Sequence, residues 1–202
     1  MSHYYDKTPE VKSDEQVFTY HYQNHRLALT TDAGVFSKGK IDFGSDLLVR
    51  TFLKHHPVGK KKTILDVGCG YGPIGLMLAK VAPHDDVTLV DVNARALALT
   101  TKNIEANDIS NASVKESDGL SEVEDDTYDF ILTNPPIRAG KDVVHGILEG
   151  AKDKLKANGK LLVVIQKKQG MASAKKKMDA VFSNVEVLAK NKGYYILSSD
   201  KC

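Results

Sequence analysis

A chain of 202 residues, 42% apolar and 27% charged, is long enough for one domain with a full core and has the composition of an ordinary soluble globular protein. Its two cysteines, Cys69 and Cys202, exclude a disulfide framework and a zinc cluster, so no metal is expected and a reduced, cytoplasmic setting is the default. No apolar run approaches the roughly 20 residues of a membrane span, and the polar opening with Asp6, Glu10, Asp14 and Glu15 lacks the basic start and apolar stretch of a secretory signal.

The elements follow in chain order. Val17–Tyr22 and Arg26–Thr31 read as a strand pair, and Asp46–His55 as a helix. Residues 1–45 are expected to form an extension packed on a core of residues 46–202, all in one domain. From Thr63 onward strand and helix alternate. Thr63–Val67 is a short apolar strand, and a glycine-rich turn follows it. Pro73–Val81 reads as a helix with proline in its first turn, where the missing N–H costs nothing. Val87–Val90 is the second strand, Asn93 a helix cap, and Ala94, Leu97, Ala98, Thr101 and Ile104 recur at helical spacing.

Ala112–Lys115 and Tyr128–Leu132 are the third and fourth strands. Val143, Val144, Ile147, Leu148, Ala151 and Leu155 mark a long amphipathic helix, which Asn158-Gly159 should stop. Leu161–Ile165 is a strongly apolar strand and Met171–Phe182 a further helix. Val185–Leu188 and Tyr194–Leu197 close as a hairpin across a short Lys-Asn-Lys-Gly turn. Such alternation predicts an α/β fold: a parallel sheet covered on both faces, with an antiparallel strand added at the end.

Three acids fall at the C-terminal ends of successive strands, the edge at which open α/β sheets bind ligands. Asp66 precedes the turn Gly68-Cys-Gly70-Tyr-Gly72. A dinucleotide loop reads G-x-G-x-x-G around a pyrophosphate. The tighter G-x-G-x-G spacing here, led by an acid, suits a ligand with an ammonium and a sulfonium and would repel a pyrophosphate. Asp91 ends the second strand and can accept both hydroxyls of a ribose. Asp118, beside Gly119, can accept from an adenine amino group. Gly68, Cys69, Gly70, Gly72, Val92 and Asn93 complete the candidate cofactor set. Cys69 has no partner at C-x-x-C spacing and reads as a small packing residue.

Asn134-Pro135-Pro136-Ile137 follows the fourth strand. An aromatic or amide amine is a poor nucleophile because its lone pair is delocalised. The Asn134 side-chain carbonyl and the Pro135 backbone carbonyl can accept from such an N–H₂ group, fix it, and turn its lone pair toward a methyl donor. Asn134 also lies beside the cofactor positions. The prolines stiffen the loop. No strong base is needed, because the proton becomes acidic as the methyl arrives.

These motifs resemble those of class I methyltransferases of the N-methylating kind. More narrowly, Gly34-Val-Phe-Ser37, Asp42-Phe-Gly-Ser45, Asn134-Pro-Pro-Ile-Arg-Ala-Gly-Lys141 and Lys192-Gly-Tyr-Tyr-Ile-Leu197 resemble the small-domain family of 16S ribosomal RNA guanine-N2 methyltransferases. The resemblance implies a Rossmann-like seven-stranded sheet of order 3-2-1-4-5-7-6, S-adenosylmethionine as donor and the small ribosomal subunit as substrate. Asp66, Gly68, Gly70, Asp91 and Asp118 would hold the cofactor, and Asn134 and Pro135 the amino group. Related enzymes often carry Tyr or Phe after the two prolines; Ile137 stands there instead, and Phe36 is a candidate to supply the stacking face.

The net charge of +2 is unevenly spread. From Ala151 onward 12 lysines face 4 acids, whereas the preceding part holds 16 basic and 22 acidic residues. Lys175, Lys176 and Lys177, extended by Lys167, Lys168, Arg138 and Lys141, are candidates for phosphate contact, or else a solvated face. Alternatives are another methyl acceptor (a release-factor glutamine, or an adenine in DNA or another RNA), a nicotinamide dehydrogenase, which the glycine spacing disfavours, and a non-catalytic ribosomal RNA-binding module. A monomer and a homodimer are both compatible with the chain.

Overall fold

A computed structural model describes residues 7–202 of the chain; the first six residues, Asp6 of the polar opening among them, lie outside the described residues. Strands β1 (Gln16–Tyr22) and β2 (His25–Thr31) form an antiparallel hairpin, followed by helix α1 (Phe43–His55). The alternating part runs β3 (Thr63–Val67), α2 (Pro73–Val81), β4 (Asp86–Asp91), α3 (Ala94–Ala106), β5 (Ala112–Glu116), β6 (Tyr128–Thr133), α4 (Lys141–Lys154), β7 (Leu155–Gln166), α5 (Met171–Phe182), β8 (Glu186–Asn191) and β9 (Tyr194–Asp200). Seven strands form one sheet of order β5-β4-β3-β6-β7-β9-β8. Counted from β3, this is the expected order 3-2-1-4-5-7-6. Strand β9 runs antiparallel to both of its neighbours, and the remaining pairs are parallel.

The apolar alternation of the strands feeds two cores. Ile64, Leu132 and Val164 face one side, where α1, α2, α3 and the N-terminal hairpin pack. Leu65, Ile131 and Val163 face the other, against α4 and α5. A one-residue slip would turn each set to the wrong side, so the register is strongly specified.

The free edge of β2 is covered by the side chains of Asn103 on α3 and of Asn107, which caps the C-terminus of that helix. The Ala28 and Thr30 N–H groups donate to the side-chain oxygens of Asn107 and Asn103, both at 2.8 Å, and the two amide nitrogens donate back to the carbonyls of Ala28 (2.9 Å) and Thr30 (3.0 Å). The spacing of four residues sets both amides on one face of the helix, where they act as a substitute strand. Asn103, fully buried, also donates to the Tyr71 carbonyl at 2.9 Å. Asn103→Ala leaves these backbone groups without partners and should cost about 1–3 kcal/mol. A urea midpoint unchanged from wild type would contradict this.

Among the boundaries that differ from the sequence reading, two have a clear physical cause. Helix α1 begins at Phe43 rather than Asp46, because the Asp42 carboxylate accepts from the Ser45 N–H at 3.0 Å and caps the helix three residues earlier. Helix α4 ends at Lys154, and Leu155 already has an extended backbone (ψ 141°). Asn158-Gly159 therefore does not stop a helix but lies inside β7, where Asn158 has φ 64° and the pairing with β6 shifts register. The kink lets Asn158 N–H donate to the Lys201 carbonyl at 2.7 Å.

Candidate active site

Strands β3 and β6 are neighbours, but the chain leaves them toward opposite faces, into α2 and α4. The connections part at the C-terminal edge and leave a crevice there, the usual place for a ligand in this architecture. It is a cleft of about 270 Å³ walled by Gly68, Cys69, Gly70, Asp91, Val92, Ser117 and Gly119 on one side and by Asn134, Pro135, Pro136, Ile137 and Arg138 on the other, with Phe36, Asp42 and Tyr194 at its mouth.

The glycine loop keeps its N–H groups to itself. Gly68 and Cys69 donate to the Val90 carbonyl at 2.9 and 3.0 Å, Gly72 to the Cys69 carbonyl at 2.9 Å, and Gly70 to the Asp91 carboxylate at 2.8 Å. At the start of α2, Pro73 has no N–H and the Gly75 N–H donates to Asp66 at 2.9 Å. A phosphate-binding loop needs those donors aimed outward; here they are spent, which argues against a pyrophosphate ligand. Gly68 has φ 70°, and a Cβ on it would meet nothing within 4 Å among the described residues. The bare backbone is thus open to a ligand lying along it.

Asp66 lies behind this loop and is not part of the cleft wall. It is 1% exposed, and among the described residues its Oδ1 has no hydrogen-bond partner. Burial pushes its carboxyl up to about 7, the Gly75 N–H pulls it down, and Asp91 raises it further. Burial also raises Asp91, against the N–H groups of Asn93 and Gly70. Two acids held above their ordinary range, Asp91 in the cleft wall and Asp66 behind the loop, are relieved by a cation and not by an anion. The sign for Asp66 follows from its folded pKa of about 7 against 3.8. The stability tied to the protonated carboxyl is present below the lower value and lost as pH rises through the upper one. From about pH 4 to 8, ligand-free wild type should therefore lose thermal stability relative to Asp66→Asn. Parallel unfolding midpoints across that range would contradict it.

Asn93 is 1% exposed and caps α3, its Oδ1 accepting from Ala96 N–H at 3.1 Å. Its Nδ2 donates to the Gly34 carbonyl at 3.1 Å and so ties the turn that carries Phe36 to the end of β4. Gly72 and Asp118 also lie off the wall, although Ser117 and Gly119 on either side of Asp118 line it. The Cys69 thiol is buried and pushed up by burial, which suits a packing residue rather than a nucleophile.

On the opposite wall the Asn134 Nδ2 donates to Asp42 Oδ2 and to Ser45 Oγ, both at 3.0 Å. A carboxylate can only accept, so the orientation of the amide is fixed and its carbonyl is left for the cleft. The Pro135 carbonyl accepts from the Ile137 N–H at 2.9 Å, and the Ala139 N–H donates to Pro136 at 2.9 Å, which closes the loop into a rigid turn. One lone pair of the Pro135 oxygen is therefore occupied, and the Asn134 carbonyl is the less encumbered acceptor.

Phe36 is 42% exposed and lines the cleft with Ile137. Tyr194 stands at the same mouth, packed on Phe43 with ring centroids 5.4 Å apart. Burial, and then the Asp42 carboxylate, raise its phenol. The sequence reading quoted Asp42, Ser45 and Tyr194 within family motifs but gave them no role in the site. Lys141 and the triplet Lys175, Lys176 and Lys177 lie outside the cleft wall, and Lys177 pairs with Glu149 on α4. Arg138 lines the cleft, and exposed Lys167 and Lys168 follow Gln166, itself in the wall. Among the described residues no group of three or more His, Cys, Asp or Glu side chains is placed to hold a metal, and no helix is long and apolar enough to cross a membrane.

This strand order, with its antiparallel β9 and a donor-poor, acid-ended cleft, defines a Rossmann-like methyltransferase fold. The chain belongs to the methyltransferase small domain family, whose model matches residues 26–198. It is 48% identical over 200 residues to the uncharacterised protein YbxB of Bacillus subtilis (strain 168), covering 98% of each chain. It is 35% identical over 182 residues to the ribosomal RNA small subunit methyltransferase C of Erwinia tasmaniensis, covering 88% of this chain and 51% of that one. A solved structure of the T. thermophilus 16S rRNA N2 G1207 methyltransferase, in complex with AdoMet and guanosine, superposes with a TM-score of 0.84 at 26% identity, over 96% of this chain and 52% of that one. The chain thus spans about half the length of these two ribosomal RNA methyltransferases.

Proposed function

We propose that this protein is an S-adenosylmethionine-dependent N-methyltransferase that methylates the exocyclic N2 of a guanine in 16S ribosomal RNA of the small ribosomal subunit. The observation that carries the reading is Asn134: its amide nitrogen is held by Asp42 and Ser45, and its carbonyl is left to the cleft that the glycine loop and Asp91 enter from the other side. The fit of the cofactor rests on three features: the orphaned Asp66 Oδ1, the open space in front of Gly68, and loop donors turned away from the cleft. Gly68, Gly70, Asp91 and Gly119 would hold it directly, Asp118 from the end of β5, and Asp66 from behind the loop.

Bound, S-adenosylmethionine supplies a methyl group made electrophilic by its sulfonium. The rest is positioning. Asn134 Oδ1 accepts one N–H of the target amine, and Pro135 offers its second lone pair to the other. The lone pair of the nitrogen then points into the cleft, and no side chain has to remove a proton beforehand. The N–C bond would form as the methyl–sulfur bond breaks and leaves a neutral thioether, so the positive charge passes to the amine; the Asn134 carbonyl dipole stabilises it, and the proton leaves to water. Ile137, Phe36 and Tyr194 offer apolar faces to the base; stacking of this kind contributes about 1–3 kcal/mol per base. Arg138, Lys167 and Lys168 around the mouth suit phosphates and make binding salt-dependent.

The test is transfer from radiolabelled S-adenosylmethionine to small subunits, large subunits, naked 16S RNA and a release factor. The proposal expects label in the small-subunit RNA, recovered as N2-methylguanosine. Label in the release factor or in adenine alone would overturn the substrate while leaving the methyltransferase family intact.

A further inference from the structure

Asp42 presents a second acceptor beside Asn134. Its Oδ2 takes the Ser45 N–H and the Asn134 Nδ2, both at 3.0 Å. Among the described residues no hydrogen-bond donor meets its Oδ1, and Asp42 lines the cleft. Oδ1 of Asp42 and Oδ1 of Asn134 therefore remain as two acceptors on side chains that both line the cleft and are tied together through Asp42 Oδ2, beside the Ser45 hydroxyl.

Candidate amines differ in what stands next to the nitrogen. In guanine the exocyclic N2 adjoins the ring N1–H, so two donor groups lie side by side. In adenine the exocyclic amine adjoins a ring nitrogen that only accepts, and in a glutamine amide it adjoins a carbonyl. A pair of acceptors complements the first and leaves an acceptor facing an acceptor in the other two. We propose that Asp42 is the residue that selects guanine, accepting from the ring N1–H while Asn134 accepts from the N2 amine; this rests on the guanine reading above.

Asp42→Asn tests the idea because the structure dictates how the new amide must sit. The position of Oδ2 has to stay an oxygen, since the Ser45 N–H and the Asn134 Nδ2 both donate to it, so the new NH₂ replaces Oδ1. The cleft edge changes from acceptor to donor, and asparagine still caps α1.

The experiment titrates the full chain, saturated with S-adenosylhomocysteine, with guanosine and with 2-aminopurine riboside, followed by ligand-observed NMR. The second nucleoside keeps the N2 amine but has a bare ring nitrogen at N1. Wild type should bind guanosine about tenfold or more tightly over 2-aminopurine riboside, and Asp42→Asn should bring the ratio to within about threefold or invert it. An unchanged ratio in Asp42→Asn overturns the role of Asp42 and leaves the guanine reading standing. A wild type that binds both equally, or neither, overturns the guanine reading together with the proposal. Wild type with 1-methylguanosine needs no variant to fold. Binding at least about tenfold weaker than guanosine supports N1–H recognition, and equal binding contradicts it.

Discussion

Asn134→Ala should lower kcat for methyl transfer by about 10²–10³-fold, the range seen when one preorganised hydrogen-bonding group at a reacting centre is removed. Cofactor affinity should stay within about threefold, because the acids and glycines that would hold the cofactor sit across the cleft at or just beyond β3, β4 and β5 and, among the described residues, share no hydrogen bond with Asn134. The split matters more than the loss. A side chain that only supported the fold would reduce cofactor binding and turnover together. Calorimetric titration with S-adenosylhomocysteine beside a single-turnover assay separates the two. A kcat within tenfold of wild type would remove Asn134 from the chemistry.

Gly75→Ala should destabilise the protein, although alanine is the better helix former. A Cβ at Gly75 would lie 2.6 Å from Leu89 Cδ2 and 2.8 Å from its Cγ, and Leu89 is fully buried in β4. The third neighbour is Asp66 Oδ2 at 3.1 Å, the atom that accepts from the Gly75 N–H. Overpacking of a filled core costs about 1–3 kcal/mol, which exceeds the gain of up to about 1 kcal/mol in helix propensity. For a chain of this size the unfolding midpoint should fall by several degrees, at about 2–4 °C per kcal/mol. Gly146→Ala on α4 is the control, because among the described residues its Cβ would meet nothing within 4 Å and the propensity gain stands alone. The account expects opposite signs for the two variants. A Gly75→Ala protein as stable as wild type would show that α2 has room over β4.

The sheet was legible because each central strand is a short apolar run closed by a turn signal. Thr63–Val67 precedes the glycines, Tyr128–Leu132 precedes Asn-Pro-Pro, and in each the buried positions alternate between the two cores. What eluded the sequence depends on tertiary neighbours. The first turn of α1 contains Gly44, which lowers helix propensity and hides the start of the helix. A Cβ there would meet Tyr194 Cε1 at 2.8 Å, a ring far along the chain. Asp42 and Asn134 are 92 residues apart, so no local pattern announces their hydrogen bond. Asp66 was readable as an acid at the head of the loop, but its place behind the loop follows from the Gly75 N–H reaching back to it. The lysine triplet on α5 stood out as a charge run, yet position rather than composition decides which cations reach the cleft, and among the described residues Arg138 is the one in its wall.

The most direct test of the central claim is the nucleoside content of 16S RNA from cells lacking the gene, measured by liquid chromatography and mass spectrometry. The account predicts that one N2-methylguanosine is missing, that a plasmid copy of the wild-type chain restores it, and that Asn134→Ala does not. An unchanged set of N2-methylguanosines in the deletion strain would contradict the assignment to small-subunit guanine.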